Sequence, residues 1–126
     1  MIQQQTILKV SDNSGAKTVK CINLLKGFKK KFATVGDVII VSVQQLRNKS
    51  KMTSKVQKGE IYRALIIRTK SKIKMNDHIM TSFNDNAVSL LNKQNNPIAT
   101  RIMGPLSKKL KHNKHQKLIS ISPGFA

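Results

Sequence analysis

The chain has 126 residues and carries 24 Lys or Arg against 5 Asp or Glu, a formal net charge of +19. That length fits one domain with a real core and is too short for two of ordinary size. So much positive charge on a small domain repels itself unless a polyanion neutralises it, which makes nucleic acid the leading partner. A cationic membrane-surface protein would need a long helix with one basic and one apolar face, and no such pattern is visible; nor is any uninterrupted apolar run of the ~18 residues that could span a bilayer.

The opening Met1-Ile2-Gln3-Gln4-Gln5 has neither a basic start with an apolar core nor an Arg/Ser-rich amphipathic leader, so the expectation is a protein made where it works or already processed. The single Cys21 excludes an internal disulfide and a cysteine-built metal cage. Its place in an alternating apolar run reads as a buried structural thiol.

Residues 6–10 are a short β-type run, and Ser11-Asp12-Asn13-Ser14-Gly15 is a dense turn signal, which predicts a first hairpin. Residues 18–25 alternate, with Val19, Cys21 and Asn23 on one side against Thr18, Lys20, Ile22 and Leu24 on the other. A basic loop, Lys26-Gly27-Phe28-Lys29-Lys30-Lys31-Phe32, and the turn Val35-Gly36-Asp37 lead into residues 38–43, the strongest strand signal in the chain. Residues 47–58 hold five basic residues and little apolar material, which predicts an exposed hairpin loop closed by Gly59-Glu60.

Residues 61–69 are apolar on both faces at their centre, as in a central barrel strand, and residues 70–74 carry the chain into solvent with alternating charge. Residues 77–83 and 87–91, joined by Asn84-Asp85-Asn86, predict a further hairpin whose turn uses Asn and Asp. Five or six short strands with tight turns make a small closed barrel the economical fold, since closure removes edge strands. The stretch 96–105 reads as a hinge, and after it the chain turns lysine-rich; Pro105 suits a helix's first turn, Leu106 and Leu110 share one helical face, and residues 118–121 stay open between helix and strand.

The five acids, Asp12, Asp37, Glu60, Asp77 and Asp85, each stand alone beside a turn, where carboxylates commonly bond local backbone, so no catalytic pair is expected. His112 and His115 have no third ligand of matching type beside them and suit phosphate contact better than a metal. Neither a Walker-type nor a Rossmann-type glycine spacing occurs, and no cofactor is expected. Positive charge clusters at residues 26–31, 47–58, 68–74 and 108–117, four one-sign groups that bound phosphates would favour together. Aromatics are scarce, which favours recognition of folded RNA by shape and phosphate contact over base stacking; Phe28 and Phe32, flanking lysines, could either stack or pack. A free-standing oligonucleotide-binding barrel would want an exposed aromatic strand face, and a nucleic-acid enzyme clustered acids.

With these residues in view, the chain resembles the bacterial-type large-subunit ribosomal protein L-fourteen family over essentially its whole length. The resemblance rests on Met1-Ile2-Gln3 with Gln5-Thr6, Asp12-Asn13-Ser14-Gly15-Ala16, Val35-Gly36-Asp37, Lys58-Gly59, Ala64-Leu65-Ile66-Ile67-Arg68-Thr69-Lys70, Phe83 with Asn86-Ala87, and Pro97-Ile98 with Thr100-Arg101-Ile102 and Gly104-Pro105. It implies a mainly β protein: a closed five-stranded barrel over about 1–104 with a short basic helical extension over about 105–126, together one ribosomal protein domain. It implies no enzymatic activity, binding of large-subunit rRNA beside ribosomal protein L-nineteen, an intersubunit face touching small-subunit rRNA, and a docking surface for the ribosome-silencing factor around Thr100, Arg101 and Lys117.

The rRNA-binding set expected from charge and resemblance is Lys17, Lys20, Lys29, Lys30, Lys31, Arg47, Lys49, Lys51, Lys55, Lys58, Arg68, Lys70, Lys72 and Lys74, with Thr100, Arg101, Lys108, Lys109 and Lys117 as the contact set. Three positions depart from the family pattern: Asp77-His78 stands for Asp-Gly, Asp85 for a turn glycine, and Ser89 for a valine. Loop 47–58 is a few residues longer than the bacterial type. These drifts and the Lys/Asn/Ile richness resemble an organelle-encoded copy, mitochondrial before plastid, with bacterial cytoplasm as the further alternative.

Overall fold

A computed structural model describes residues 1–25, 27, 29–47, 54–75, 78–112 and 115–126. Strands β1 (Ile7–Val10), β2 (Ala16–Leu24), β3 (Val38–Leu46), β4 (Ile61–Arg68) and β7 (Ala87–Leu91) close a barrel in the order β1-β2-β3-β4-β7. Strands β5 (Ile73–Lys74) and β6 (Met80–Thr81) form a separate two-stranded sheet. A 3-10 turn, Lys108–His112, and helix α1 (Gln116–Ser120) follow. The closed five-stranded barrel with a short C-terminal helix is the fold that the strand pattern and the resemblance both imply.

Alternation builds most of the wall. In β1 Leu8 and Val10 face the core while Ile7 and Lys9 face out, and in β3 Ile39, Val41 and Val43 are buried. Strict alternation fails in β2, where a register shift between Cys21 and Asn23 turns Asn23 out to solvent instead of leaving it on the inward side with Cys21. The centre of β4, from Ala64 to Arg68, is buried on both faces, because the returning tail covers its outer side: Ser107 N–H donates to Ile67 C=O, and Leu106, Leu110 and Leu118 join the same buried cluster as the barrel core.

The expected hairpin of residues 77–83 with 87–91 is not formed. All five residues of β7 are buried; it pairs with β4 on one side and, in parallel, with β1 on the other. A fully buried strand needs a pairing partner on each side, and β4 and β1 take those places; the preceding segment offers only Met80–Thr81, with Ile79 and Met80 exposed, and that piece pairs with β5 instead. Asp77, the start of that expected run, lies outside the described residues. By the same pairing residues 70–74 do not simply run into solvent, since Ile73 is buried.

The described ends of the 47–58 segment, Arg47 and residues 54–58, are less open than its composition suggested. Arg47 N–H donates to Gly15 C=O, Lys55 N–H to Ser14 C=O, and Val56 is fully buried. Lys49 and Lys51 lie outside the described residues. The helix expected from Pro105 is also displaced: Leu106 is held extended in a parallel bridge to Phe125, its N–H given to Gly124 C=O and its C=O receiving Ala126 N–H, and the helical turn begins only at Lys108. Leu106 and Leu110 are both buried, and the open run 118–121 resolves mainly into α1, with Leu118 inward.

Closure between β1 and β7 is reinforced by Asp12, which is completely buried. Its Oδ1 accepts from the Ser14 backbone N–H at 3.1 Å and from the Ser14 hydroxyl, and its Oδ2 accepts from Leu90 N–H at 2.9 Å and Ser89 Oγ at 3.3 Å. A buried carboxylate is costly unless its lone pairs are filled, and here donors from the β1–β2 turn and from β7 fill them together. Asp12→Ala therefore orphans donors on both elements, and urea unfolding should show a loss of about 3–5 kcal/mol. A loss below about 1 kcal/mol, the scale of one ordinary hydrogen bond, would contradict this role.

His78 adopts φ 64°, and its N–H donates to Met75 C=O. A left-handed conformation costs a side-chain-bearing residue about 1–2 kcal/mol, partly offset on substitution by the extra unfolded-state freedom of glycine. His78→Gly should thus raise stability in the same urea assay by up to about 1 kcal/mol.

Candidate nucleic-acid interface

The basic side chains fall into groups set by the strand pattern. Lys9 and Lys17 point out of the β1–β2 hairpin and, with Val10 and Arg47, wall a cleft of about 350 Å³. Arg47 is anchored there, donating through Nη2 to Val10 C=O at 3.1 Å and through Nη1 to Met103 Sδ at 3.8 Å. Lys20 is half-buried further along β2. Lys29, Lys30 and Lys31 line a second cleft of about 650 Å³ against Gln3, Gln4 and Asn23, and Lys30 Nζ lies 3.9 Å from Asp37 Oδ2. Of the flanking residues, Phe32 is exposed, whereas Lys26 and Phe28 lie outside the described residues.

Lys58, Lys70, Lys72 and Lys74 are exposed at the ends of β4 and on β5, and Lys108 and Lys109 are exposed on the 3-10 turn. Lys117 folds back from α1, where its ammonium donates to Asn96 Oδ1 at 3.3 Å. It shares a cleft of about 580 Å³ with Val38, Pro97 and His115. Burial pushes the His115 pKa below its ordinary value, so its ring is neutral at pH 7 and adds no charge to the phosphate contact expected of it. The His112 side chain lies outside the described residues.

Arg68 differs from the lysines in its expected set. It is 8 % exposed, and its guanidinium donates to the Ser11 hydroxyl, while Nε lies 3.4 Å from Asp85 Oδ1 in an ion-pair contact without an aligned hydrogen bond. Asp85 also takes Lys9 Nζ at 3.8 Å, so one aspartate anchors two cations. The guanidinium presses on Gly104: a Cβ there would sit 2.2 Å from Arg68 Nη1, and the backbone φ is +80°. Arg68 therefore braces the 104 turn from beneath, because a planar, permanently charged group wedged under a backbone has its donors committed inward.

Segments distant in sequence meet around the β1–β2 turn. Asn13 Oδ1 accepts from both Thr100 N–H at 3.0 Å and Arg101 N–H at 3.1 Å, and Asn13 Nδ2 donates to Thr100 Oγ1 at 2.9 Å. Lys55 reaches the same region, its Nζ 3.5 Å from Ile98 C=O. Arg47 and Lys55 from the rRNA-binding set and Thr100 and Arg101 from the contact set are thus gathered at one end of the barrel. Three polar residues of this surface stand outside the expected site sets. Lys9 was legible as the outward partner of Ile7; Arg63, exposed and donating to Asn95 Oδ1 at 3.2 Å, and Asn13 were not, because their partners lie 32 or more residues away.

The described acids are occupied by structure. Asp12 is buried in the network above, Asp37 Oδ2 accepts from Thr34 N–H at 2.9 Å, Asp85 is ion-paired, and Glu60 accepts the Tyr62 hydroxyl. Burial, then the Glu60 carboxylate beside it, pushes Tyr62 up to about 12, keeping it a donor. Burial also pushes the Cys21 thiol up, which fits a structural cysteine. Among the described residues no group of three His, Cys, Asp or Glu could hold a metal ion, and no helix is long and apolar enough to cross a membrane.

A barrel whose lysines stand mostly exposed and whose described acids are each hydrogen-bonded or ion-paired is suited to a polyanion. The family model described as Ribosomal protein L14p/L23e matches residues 1–126. The chain belongs to that family along its whole length, and it is a non-enzymatic structural protein of the large ribosomal subunit, acting on the ribosome in translation.

Proposed function

We propose that this protein binds large-subunit rRNA through its basic loops and that the end of the barrel carrying Thr100 and Arg101, together with Lys117, contributes to an intersubunit contact with small-subunit rRNA. The observation that carries the reading is the partition of charge. The described acids are buried in turns or paired, whereas Lys17, Lys29, Lys31, Lys55, Lys58, Lys70, Lys72 and Lys74 stand exposed around the barrel. Each exposed ammonium gains by releasing counterions from a phosphate, and the rigid barrel fixes where those gains fall. Arg68 supports the set indirectly, and Lys20, half-buried, contributes at its margin.

Lys108 and Lys109 extend the basic surface onto the tail. The family resemblance supports ribosomal protein L-nineteen as a neighbour and the ribosome-silencing factor as a ligand of the Thr100–Arg101 face. The organellar drift of the sequence supports a mitochondrial ribosome over a plastid or bacterial one. Sedimentation of ribosomes from the source on a sucrose gradient tests the assignment: the protein should travel with the large subunit, and finding it only in free fractions overturns it.

Two substitution sets separate the faces. Replacing Lys29, Lys30 and Lys31 by Ala should weaken rRNA binding and flatten the slope of log affinity against log salt by about 2–3, one contact per phosphate. Arg101→Glu with Lys117→Glu should weaken subunit association while leaving the urea midpoint of the free protein within the range of ordinary surface changes, about 0.5 kcal/mol. Unchanged association would count against that face.

A further inference from the structure

We propose that Asn13 is a positioning residue that presets Thr100 and Arg101 for docking, an inference that rests on the reading of this end of the barrel as a contact face for RNA. Both contact residues are exposed and belong to an irregular segment, where a chain would ordinarily lose freedom on binding. Here that freedom is already removed. The Asn13 carboxamide receives both backbone N–H groups, its own backbone N–H donates to Arg101 C=O at 3.2 Å, and Asp12 and Ile102 form an antiparallel bridge beside it. Met103 N–H donates to Ser11 C=O at 2.6 Å, and Gly104 rests on the Arg68 guanidinium, so the segment is clamped at both ends.

The orientation of the Thr100 hydroxyl follows from the same contact. Its oxygen accepts Asn13 Nδ2 at 2.9 Å, which leaves the hydroxyl proton to donate outward. A threonine O–H beside an exposed guanidinium is a pair of donors suited to phosphate oxygens. Asn13 itself is half-buried, and its side-chain bonds are to these two residues, so its effect on docking passes through them.

The test combines amide hydrogen exchange on the free protein with association of ribosomal subunits carrying each variant. Asn13→Ala should accelerate exchange at Thr100 and Arg101 while Leu90, bonded to Asp12, stays protected, and it should lower the association constant about tenfold, the scale of re-ordering one or two residues on binding. Asn13→Asp keeps the accepting oxygen and should restore protection of both amides. Should Asn13→Ala fail to fold, Asn13→Ser, too short to span the gap, carries the same two measurements. Arg101→Ala serves as the control for the face itself. If Arg101→Ala weakens association and loss of the Asn13 carboxamide does not, the inference is overturned and the contact face stands. If neither variant changes association, the contact face fails and the inference with it. Unchanged exchange at Thr100 and Arg101 in Asn13→Ala overturns the positioning role directly.

Discussion

The barrel depends on one buried carboxylate. Closing five strands requires β1 to meet β7, two segments separated by most of the chain, along a short parallel seam of Lys9 with Ala87 and Val10 with Val88. Parallel pairing is the weaker kind, and β1 is only four residues long. Asp12 extends the seam beyond the last strand pair by binding Leu90 N–H and Ser89 Oγ on β7 and Ser14 on its own turn. Ser89 supplies one of those donors, a hydrogen bond to a charge that burial has cut off from water.

From that closure the end of the barrel around Thr100 and Arg101 inherits its shape. The turn that carries Asp12 also carries Ser11 and Asn13, which hold Met103, Thr100 and Arg101, and the Arg68–Asp85 pair supports the same turn from below. A single run of three residues thereby couples core, seam and surface. Electrostatically the arrangement sorts charge by sign: the described carboxylates are taken up by backbone, hydroxyl or cationic partners, and most of the lysines are exposed. Within a Debye length of about 10 Å the exposed cations still repel one another in the free protein, and a polyphosphate backbone turns that repulsion into attraction.

Much of the fold was legible because it is local. The 11–15 turn, the apolar strand signal of residues 38–43 and the two-faced apolarity of β4 each depend on neighbours within a few residues, and β-branched side chains pack well on a pleated wall. Where pairing was non-local the reading failed. Residues 77–83 and 87–91 adjoin in sequence and carry turn residues between them, yet β7 is claimed by β1 and β4, whose contact buries it completely. The site divides the same way. Lys17, Lys29, Lys31 and Lys72 are exposed as charge alone suggests, but Arg68 looks like any other basic residue in sequence and is buried by Gly104 and Ser11.

The amino-acid sequence by itself determined the strand content, the turns, the excess of positive charge and, through its motifs, the ribosomal family. Those properties are sums over residues or patterns of short period, and folding does not alter them. Only the tertiary structure decided which strands are neighbours, that Asp12 bridges turn and β7, that Arg68 is a brace, and that Asn13 holds Thr100 and Arg101. Each of these is a contact between groups far apart in the chain, whose energy exists only after closure has brought them together and excluded water.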